Sequence, residues 1–591
     1  MHRRGGSRKT ARFGSRSAAL LVAGLAGMCG AAPAATAQTD NVLLVMIDDL
    51  GPEYVRCYQR VPAPPATPVL DQLAATGLRF ENAVANPLCT PSRVCLQTGR
   101  HAWRAGTVVT LWPGDPGLDP AELLLPEVLL GASAGYGLAM VGKWHLGDRF
   151  GAQTPNAHGW PFFSGQMYGG LLDYYAWPKV RNGVASTSTV YATTDEVDES
   201  LAWIAAQPSG QPWLLLLCFH SPHGVHHAPP VNLHHQILQG LDPTVTPIPF
   251  YKAMIESVDA ELGRLLQGLG AARARTNVLV FGDNGTPGEV NAFGLPPERC
   301  KGSLYRTGER IPFLANGPAV LQPGRVVHED VHVLDVFPTV LELCGVDART
   351  ALPPGHVLDG HSLLPLLRGG TRTARPHYTE NIGTGYGDGA TMSGGGYKLI
   401  RFTDDRAVVA HEELYHVAAD PLEAVDLLLQ PLSPGRLWVY QQLSAAFRQL
   451  TRSGFSLSYG TGCPGHAGPW RLMVHQPPNL GTTVHMRVVS PAAAAPGPTL
   501  VVMGLSNEVS PSYGPLPRDL TSSGMPGCLM LADPMLALYV GPSDTFFSLV
   551  IPQDRLLIGL SLFLQAWVAD PLANPSGRVT TAAQRLFLAD G

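Results

Sequence analysis

The sequence predicts an α/β fold: a largely parallel sheet between helices, followed by a small α+β subdomain and an appended all-β, sandwich-like module. Continuous apolar runs alternate with helical patterns up to about residue 375, and short apolar segments separated by Pro and Gly follow residue 457. The 591 residues exceed one ordinary core, and 65 Gly with 53 Pro indicate many turns. We therefore expect a leader over residues 1–37 and domains over 38–375, 376–456 and 457–591.

The strands of the predicted sheet are uninterrupted apolar runs, which are typical of parallel strands buried on both faces. The first run, Asn41 to Ile47, ends in two carboxylates, Asp48 and Asp49. Three further runs share this character: Leu138 to Val141, Trp213 to Phe219 and Asn277 to Phe281. Helical patterns lie between them, at residues 69–76, 195–206 and 251–269. Ligands collect at the carboxyl ends of such strands, so polar clusters there are candidates for a site.

The C-terminal part of the chain has a different pattern. The run Gly394 to Ile400 indicates a small α+β subdomain, closed by a helix over residues 434–452. Beyond it, strands are predicted at residues 484–489, 499–503 and 556–565, with a Pro- and Ala-rich loop at 491–498.

The N-terminus has the pattern of a Sec-type signal peptide. Six Arg and Lys residues precede the apolar run Ala18 to Met28, and a small-residue site follows, so we expect cleavage after Ala37 and export to the periplasm or the medium. No segment is long and apolar enough to predict a membrane span. Cleavage changes the formal net charge from -5 to -11, which argues against a nucleic-acid partner.

Two pairs of oxygen ligands follow predicted strands. They are Asp48-Asp49 and, far along the chain, Asp283-Asn284. Hard cations prefer such ligands, and their number and flexibility suit Ca²⁺ better than octahedral Mg²⁺. Taken singly, each pair also fits a helix cap or a turn.

Cationic and nucleophilic side chains accompany these carboxylates. If Pro91 opens a helical turn, Cys89 and Arg93 can point at one anion, although a buried thiol at an ordinary helix start fits the same residues. Lys143 and His145 follow the second strand, and they offer a charge and a proton carrier.

Two further segments add candidate groups. Lys301 lies in a predicted loop, where a solvated lysine is the commoner outcome. His223 belongs to the histidine-rich run at residues 220–227, which admits a transition-metal site as an alternative, although no Cys or third spaced His completes a zinc set. The whole inventory fits attack on a tetrahedral oxyanion ester.

These motifs make the chain resemble the type I, formylglycine-dependent sulfatases of the alkaline phosphatase superfamily. The resemblance runs from Asn41 to about Leu429 and implies an alkaline-phosphatase-like sheet. Its residues are Asp48-Asp49, the C-x-P-S-R core at Cys89 to Arg93 with Thr98-Gly99-Arg100, Gly142 to His145, Pro222-His223, Gly282 to Gly285, Lys301 to Ser303, Asp359 to Leu364, Glu413 to Tyr415 and Asp420-Pro421.

The resemblance implies a role for each matching residue. A separate formylglycine-generating enzyme would oxidise Cys89, and one Ca²⁺ per chain would be held by the modified Cys89 with the oxygen ligands Asp48, Asp49, Asp283 and Asn284. Arg93 would steady the hydrated formylglycine, while Lys143 and Lys301 hold the sulfate oxygens. Either His223 or Lys301 would protonate the leaving group, and His145 would help to expel sulfate.

The expected function is therefore calcium-dependent hydrolysis of a sulfated small molecule or glycan, that is, of an aryl or carbohydrate sulfate ester. One alternative is a phosphonate monoester or phosphodiester hydrolase of the same superfamily. Another is a non-catalytic, glycan-binding surface protein. We expect specificity to come from loops at residues 154–184, 225–249 and 402–411.

The C-terminal part resembles a module attached to secreted bacterial proteins, which implies no known chemistry. The resemblance is carried by Gly460 to Gly465, Gly524 to Cys528 and Gln565-Ala566. With it comes the expectation that Cys463 pairs with Cys528. Eight Cys remain after cleavage, scattered and without CxxC spacing.

Overall fold

The computed structural model describes residues 40–588 except for short internal gaps. The gaps are residues 114, 116, 121, 383, 404–408, 453–454, 460–461, 467, 475–477, 479–480, 490–496, 543–545, 558–559 and 582. The leader at 1–37 and most of the loop at 491–498 lie outside the described residues, so both stay predictions. None of the described helices is long and apolar enough to cross a membrane.

A ten-stranded sheet forms the centre of the fold. Its strands are β1 (Asn41–Ile47), β2 (Leu78–Val84), β3 (Gly137–Lys143), β4 (Phe162–Gln166), β5 (Trp177–Arg181), β6 (Val184–Ser188), β7 (Trp213–Phe219), β8 (Thr276–Gly282), β9 (Phe313–Asn316) and β10 (Arg325–His332). Their order across the sheet is β10-β2-β9-β8-β1-β7-β3-β4-β5-β6. The central neighbours β8, β1, β7, β3 and β4 are parallel, whereas β9, β5 and β6 run antiparallel to theirs.

Helices cover both faces of this sheet, which confirms the predicted α/β class. The described helices are α1 (Pro68–Ala75), α2 (Cys89–Thr98), α3 (Leu125–Gly131), α4 (Thr154–Ala157), α5 (Ala192–Ala205), α6 (Pro247–Gly268), α7 (Arg306–Glu309), α8 (Val336–Leu343), α9 (Ala348–Ala351), α10 (Leu364–Leu367) and α11 (Pro434–Arg452). Helix α2 begins at Cys89, two residues before Pro91. Pro91 fits in the first turn because the backbone N–H groups there have no partner within the helix, so the missing N–H of proline costs no hydrogen bond.

The alternation of side chains along β1 divides the core into two layers. Val42, Leu44 and Met46 pack with the cluster that includes α2 and α8, whereas Leu43 and Val45 pack with the cluster that includes α1 and α6. All of them are fully buried, and each buried aliphatic side chain contributes about 1.5–3 kcal/mol. This two-sided burial explains why β1 has no polar alternation in the sequence.

A four-stranded antiparallel sheet follows the central domain, as the predicted α+β subdomain requires. Its strands are β11 (His377–Asn381), β12 (Gly389–Gly394), β13 (Tyr397–Thr403) and β14 (Val409–Tyr415). Helix α11 covers it by packing Leu443 and Phe447 against Met392, Leu399 and Leu414. The helix has the predicted bounds, Pro434–Arg452.

The C-terminal module is built from strands, as predicted, and its described strand pairs are antiparallel. The strands are β15 (Phe455–Tyr459), β16 (Pro464–Gly465), β17 (Gly468–Pro469), β18 (Arg471–Val474), β19 (Thr483–Val489), β20 (Pro498–Gly504), β21 (Val509–Ser510), β22 (Gly514–Pro515), β23 (Arg518–Asp519), β24 (Leu529–Met530), β25 (Leu536–Pro542), β26 (Phe546–Val550), β27 (Ser561–Ala569), β28 (Arg578–Thr580) and β29 (Ala583–Phe587). The strand predicted at 556–565 starts later, because β27 begins at Ser561 and the described residues Arg555–Leu557 form a 3-10 helix.

The module has a hydrophobic core of its own and a covalent crosslink. Trp470, Met486 and Leu564 are among the buried side chains of this core. The expected pairing of Cys463 with Cys528 is confirmed as a disulfide. Two ion pairs tie the module to the central domain: Arg471 Nη2 lies 3.0 Å from Asp115 Oδ2, and Arg487 Nη1 lies 3.4 Å from Asp119 Oδ2.

Candidate active site

The predicted polar clusters converge at the carboxyl ends of the parallel strands. Asp283 and Asn284 follow β8, Asp48 and Asp49 follow β1, His223 lies beyond β7, and Lys143 ends β3. Since β8, β1, β7 and β3 are neighbours in this order, the sheet itself brings these side chains together. Helix α2 adds Cys89 and Arg93, and a loop adds Lys301.

Three carboxylates and the thiol of Cys89 form a buried group that suits a cation. One ligand atom from each of Asp48, Asp49, Asp283 and Cys89 lies within 4.8 Å of the others. The backbone N–H of Asp49 donates to Asp283 Oδ1 at 3.0 Å, and the Cys89 thiol donates to Asp48 Oδ1 at 3.5 Å. Such carboxylate oxygens are the ligands that Ca²⁺ prefers.

An unsatisfied amide oxygen strengthens the case for a cation in this group. Asn284 donates through Nδ2 to Asp49 Oδ1 at 2.9 Å, but its Oδ1 is buried without a hydrogen-bond partner among the described residues. Buried polar atoms rarely stay unpaired. The donor set, hard oxygens with one orphaned carbonyl, therefore fits a calcium ion.

The electrostatics of the carboxylates point the same way. Burial, and after it repulsion from Asp283, raises the pKa of Asp48 to about 8, although Lys143 opposes the shift. Burial also disfavours the charged form of Asp49, but Lys301 and His223 hold the pKa of Asp49 below its ordinary value. A bound cation would relieve the repulsion between these groups.

Arg93 and Lys143 are buried cations that connect the carboxylates. Arg93 lies 2.8 Å from Asp283 Oδ2 and donates to the Lys143 carbonyl at 2.9 Å. Lys143 Nζ lies 2.5 Å from Asp48 Oδ2, and its side chain has no exposed surface. Cations desolvated in this way attract an incoming anion more strongly than surface cations do.

Cys89 is the first residue of α2, and its thiol is almost fully buried. Burial is the main reason that the pKa of this thiol is far above its ordinary value, although Lys143 and Lys301 oppose the shift. A thiol of this kind stays protonated at neutral pH. Unmodified Cys89 is therefore a poor nucleophile.

Lys301 and His223 meet on Asp49 at the mouth of the site. Lys301 Nζ forms a short ion pair with Asp49 Oδ1, and His223 Nε2 lies 3.8 Å from Asp49 Oδ2. Both side chains are partly exposed, at 17% for Lys301 and 26% for His223. The other ring nitrogen of His223, Nδ1, is fixed by the Gly224 carbonyl at 2.6 Å. These two side chains are therefore accessible from the solvent side.

His145 is held deeper, by backbone groups. Its Nε2 lies 3.0 Å from the Leu111 carbonyl, which can only accept, so Nε2 carries the proton and Nδ1 is left as an acceptor. Nδ1 is buried without a partner among the described residues. His145 has a φ of 56°, and strain of this kind concentrates at functional sites.

Two adjoining clefts open onto the site. One, of about 400 Å³, is lined by Asp49, His223, Glu289, Lys301 and Tyr386 among others. The other, of about 570 Å³, shares Lys301 and Tyr386 and extends along Trp112 and Asp115 to Arg471 of the module. Both volumes lie in the range of small-molecule sites.

The three loops that the sequence singled out for specificity do not line the larger cleft within the described chain. In place of a loop, part of residues 154–184 forms strands β4 and β5. Its aromatic residues Trp160, Tyr174 and Trp177 are buried in the core. Sequence reasoning missed Trp112, whose exposure of 70% on a cleft wall has no signal in the local pattern.

The histidine-rich run contributes one side chain to the site and one to the support behind it. His220 Nδ1 lies 2.5 Å from Glu196 Oε1, and both side chains are buried. The Tyr174 hydroxyl donates to the carbonyls of His220 at 3.0 Å and His223 at 2.7 Å. In the described residues the run supplies only His223 to a potential metal group, which argues against the transition-metal alternative.

Comparison with known proteins agrees with this geometry. A family model described as Sulfatase matches residues 40–346, just over half of the chain. Arylsulfatase A of Bos taurus is 31% identical over 476 residues, which cover 70% of this chain and 88% of that protein. N-acetylgalactosamine-6-sulfatase of Canis lupus familiaris is 32% identical over 408 residues, which cover 60% of this chain and 71% of that protein.

The chain is also similar to a further relative and to two solved structures. Steryl-sulfatase of Mus musculus is 29% identical, over 57% of this chain and 66% of its own length. Ps i-CgsB, solved in complex with k-i-k-neocarrahexaose, has a TM-score of 0.58 at 23% identity, over 70% of this chain and 92% of its own. BT4656, solved in complex with its substrate D-glucosamine-2-N,6-O-disulfate, has a TM-score of 0.54 at 18% identity, over 70% of this chain and 97% of its own.

The family model and the relatives of 31% and 32% identity place the chain among the sulfatases, which are hydrolases of the alkaline phosphatase superfamily. Within that superfamily the chain belongs to the type I sulfatases, and its activity class is sulfuric ester hydrolysis.

Proposed function

We propose that this sulfatase is an exported, calcium-dependent enzyme that hydrolyses carbohydrate or aryl sulfate esters through a formylglycine made from Cys89. One observation carries the proposal: Cys89 begins a helix in the middle of three carboxylates, with Arg93, Lys143 and Lys301 around them. Formylglycine, once formed by a maturation enzyme, supplies a hydrated aldehyde oxygen as the nucleophile.

The calcium ion would be held by Asp48, Asp49, Asp283, Asn284 and the modified Cys89. When bound, it supplies positive charge that stabilises the transferring sulfate group. The carboxylates and the orphaned Asn284 oxygen give the support for this assignment. Arg93 holds Asp283 in place and faces the same cluster, so it can orient the residue that Cys89 becomes.

The remaining cations would bind and position the substrate. Lys143 brings a fully desolvated positive charge to the sulfate oxygens, and Lys301 brings a partly exposed one. His223 and Lys301, which meet on Asp49 at the mouth, flank the leaving-group oxygen, and one of them donates a proton to it. His145, with Nδ1 left as an acceptor, removes a proton as sulfate is released.

A sulfated carbohydrate is the substrate class that the clefts favour. Their volumes of about 400 and 570 Å³ join at Lys301, and this space suits a sugar better than a lone small ester. The ligands of two proteins with the same fold are carbohydrates, one a neocarrahexaose and one a glucosamine disulfate. Export, which such a polymer substrate would require, rests on the sequence pattern of residues 1–37.

The test compares substrates on protein coexpressed with a formylglycine-generating enzyme, with Cys89→Ala as the control. We expect hydrolysis of 4-nitrophenyl sulfate, loss of turnover in Cys89→Ala, and a lower kcat/KM on 4-nitrophenyl phenylphosphonate. A higher kcat/KM on the phosphonate would favour the phosphonate hydrolase alternative. Binding of sulfated glycans with no turnover of any ester would favour the non-catalytic alternative.

A further inference from the structure

The larger cleft has a wall that the sulfatase domain does not supply. Its lining runs from Lys301, at the mouth of the site, to Arg471, the first residue of β18 in the C-terminal module. The family model ends at residue 346, so Arg471 lies outside the part of the chain that defines the family. The cleft of about 570 Å³ thus has a cation at the active-site end and another in the module.

Arg471 is held in place by one carboxylate. Its Nη2 lies 3.0 Å from Asp115 Oδ2, and the same oxygen accepts from the backbone N–H of Trp112 at 2.8 Å. Asp115 is only 3% exposed, whereas Arg471 is 21% exposed. Asp115 is the one hydrogen-bond partner that the described part of the chain gives the Arg471 guanidinium, which has five N–H donors. Donors therefore remain for a ligand in the cleft.

Two aromatic side chains flank the path between the cations. Trp112 is 70% exposed and Tyr386 is 37% exposed, and both line the cleft. Large exposed rings on a cleft wall offer a flat apolar surface against which a sugar ring can pack. Tyr386 also lines the smaller cleft, which contains Asp49 and His223, so the surface is continuous with the active site.

We propose that Arg471 binds a second anionic group, a sulfate or a carboxylate, of an oligosaccharide whose scissile sulfate lies at Lys301. The inference rests on the proposed function and adds that the C-terminal module forms part of the substrate-binding cleft. A planar guanidinium matches the paired oxygens of sulfate or carboxylate better than an ammonium does. The module thus selects multiply charged glycans over esters with one charge.

If Arg471 served only to hold the module against the central domain, it would not need to line the cleft. The second ion pair between module and central domain, Arg487 with Asp119, also ties the two together, with Arg487 only 11% exposed and outside the cleft lining. This contrast gives a matched control, because removing either arginine deletes one charge and breaks an ion pair between the module and the central domain. Only removal of Arg471 deletes a charge from the cleft.

The test measures binding in a Cys89→Ala background, so that turnover does not consume the probes. Calorimetry gives Kd for carrageenan disaccharides, which have no carboxylate and carry one or two sulfate groups, in this background and with Arg471→Gln, Arg471→Lys or Arg487→Gln added. We expect the disulfated probe to bind more tightly than the monosulfated one. Arg471→Gln should reduce that preference about tenfold or more, Arg471→Lys should reduce it less, and Arg487→Gln should keep it.

The outcomes separate this inference from the proposed function. Equal Kd values for the two probes in the Cys89→Ala background, or the same loss of preference in Arg487→Gln as in Arg471→Gln, would overturn the role of Arg471. Failure of the matured wild-type protein to hydrolyse any sulfate ester would overturn the proposed function, whatever the binding ratios are.

Discussion

Loss of the Cys463–Cys528 disulfide should destabilise the C-terminal module by about 4 kcal/mol, because the bond closes a loop with a sequence separation of 65 residues. The magnitude follows from the entropy that the crosslink removes from the unfolded chain. Both cysteines are buried in the module core, so substitution also removes packing. Two perturbations are therefore needed. The double variant Cys463→Ala/Cys528→Ala removes the crosslink together with packing, whereas reduction of the wild-type protein removes the crosslink alone.

Hydrogen exchange of the full chain measures this effect locally. Peptides from β27, whose strand pairs with β20, β28 and β29, report the stability of the module. A loss of about 4 kcal/mol should accelerate their slowest amides about a thousandfold. Peptides from β1 are the internal control and should exchange as in the wild type. An acceleration of less than about tenfold in both perturbed forms would refute the loop-entropy reasoning.

Three further predictions concern the site and the α+β subdomain. Removal of metal with EDTA should abolish activity, Ca²⁺ should restore it, and Asp283→Asn should weaken Ca²⁺ binding measured by calorimetry about tenfold or more. Lys143→Ala should lower kcat on 4-nitrophenyl sulfate about 10²- to 10³-fold, since it removes a desolvated charge from the site. Lys398→Met should lower the free energy of unfolding by about 3–5 kcal/mol, because Glu309 and Glu423 lose a buried partner.

Each of these predictions has a control and an outcome that contradicts it. Full activity after EDTA treatment, or equal restoration by Mg²⁺, would contradict the calcium assignment. Lys179→Ala is the control for Lys143→Ala, because Lys179 forms an ion pair with Asp195 of the same 2.5 Å length outside the site. It should leave kcat unchanged. A loss of kcat as large as that in Lys143→Ala would mean that the Lys143 effect is structural. A Lys398→Met protein that melts like the wild type would contradict the buried-pair argument.

The centre of the sheet was predictable because its strands are buried on both faces. The runs Asn41–Ile47 and Trp213–Phe219 have the predicted bounds, since every residue in them is buried and no polar position interrupts the pattern. The strand predicted at 138–141 is longer in the structure, Gly137–Lys143, because the added residues Gly137, Gly142 and Lys143 carry no strand signal. The site positions at these strand ends could be predicted for the same reason.

The sheet edge was missed where the pattern is weaker. Strands β5 and β6 form an antiparallel hairpin that overlaps the end of the segment 154–184. The sequence pattern predicted a specificity loop for this segment. Both Asn182 and Gly183, which lie between the two strands, have positive φ, the conformation that favours a tight hairpin turn. The Asn-Gly pair was therefore a usable signal.

The outer cleft could not be predicted from local patterns. Arg471 and Asp115 are separated by 356 residues, and neither lies in a motif. Their contact depends on how the module packs on the central domain, which is a property of the tertiary fold. Lys301 was a candidate from its place in the sequence, but only the family resemblance gave it a role, since a lysine in a loop is ordinarily a solvated surface residue.

The most direct test of the central claim is mass spectrometry of the Cys89 peptide, paired with the activity of the same preparations. Protein made with a formylglycine-generating enzyme should carry an aldehyde or its hydrate in place of the thiol, and kcat on 4-nitrophenyl sulfate should scale with the modified fraction. Protein made without that enzyme should keep the thiol and be inactive. Full activity in protein whose Cys89 is wholly unmodified would contradict the account.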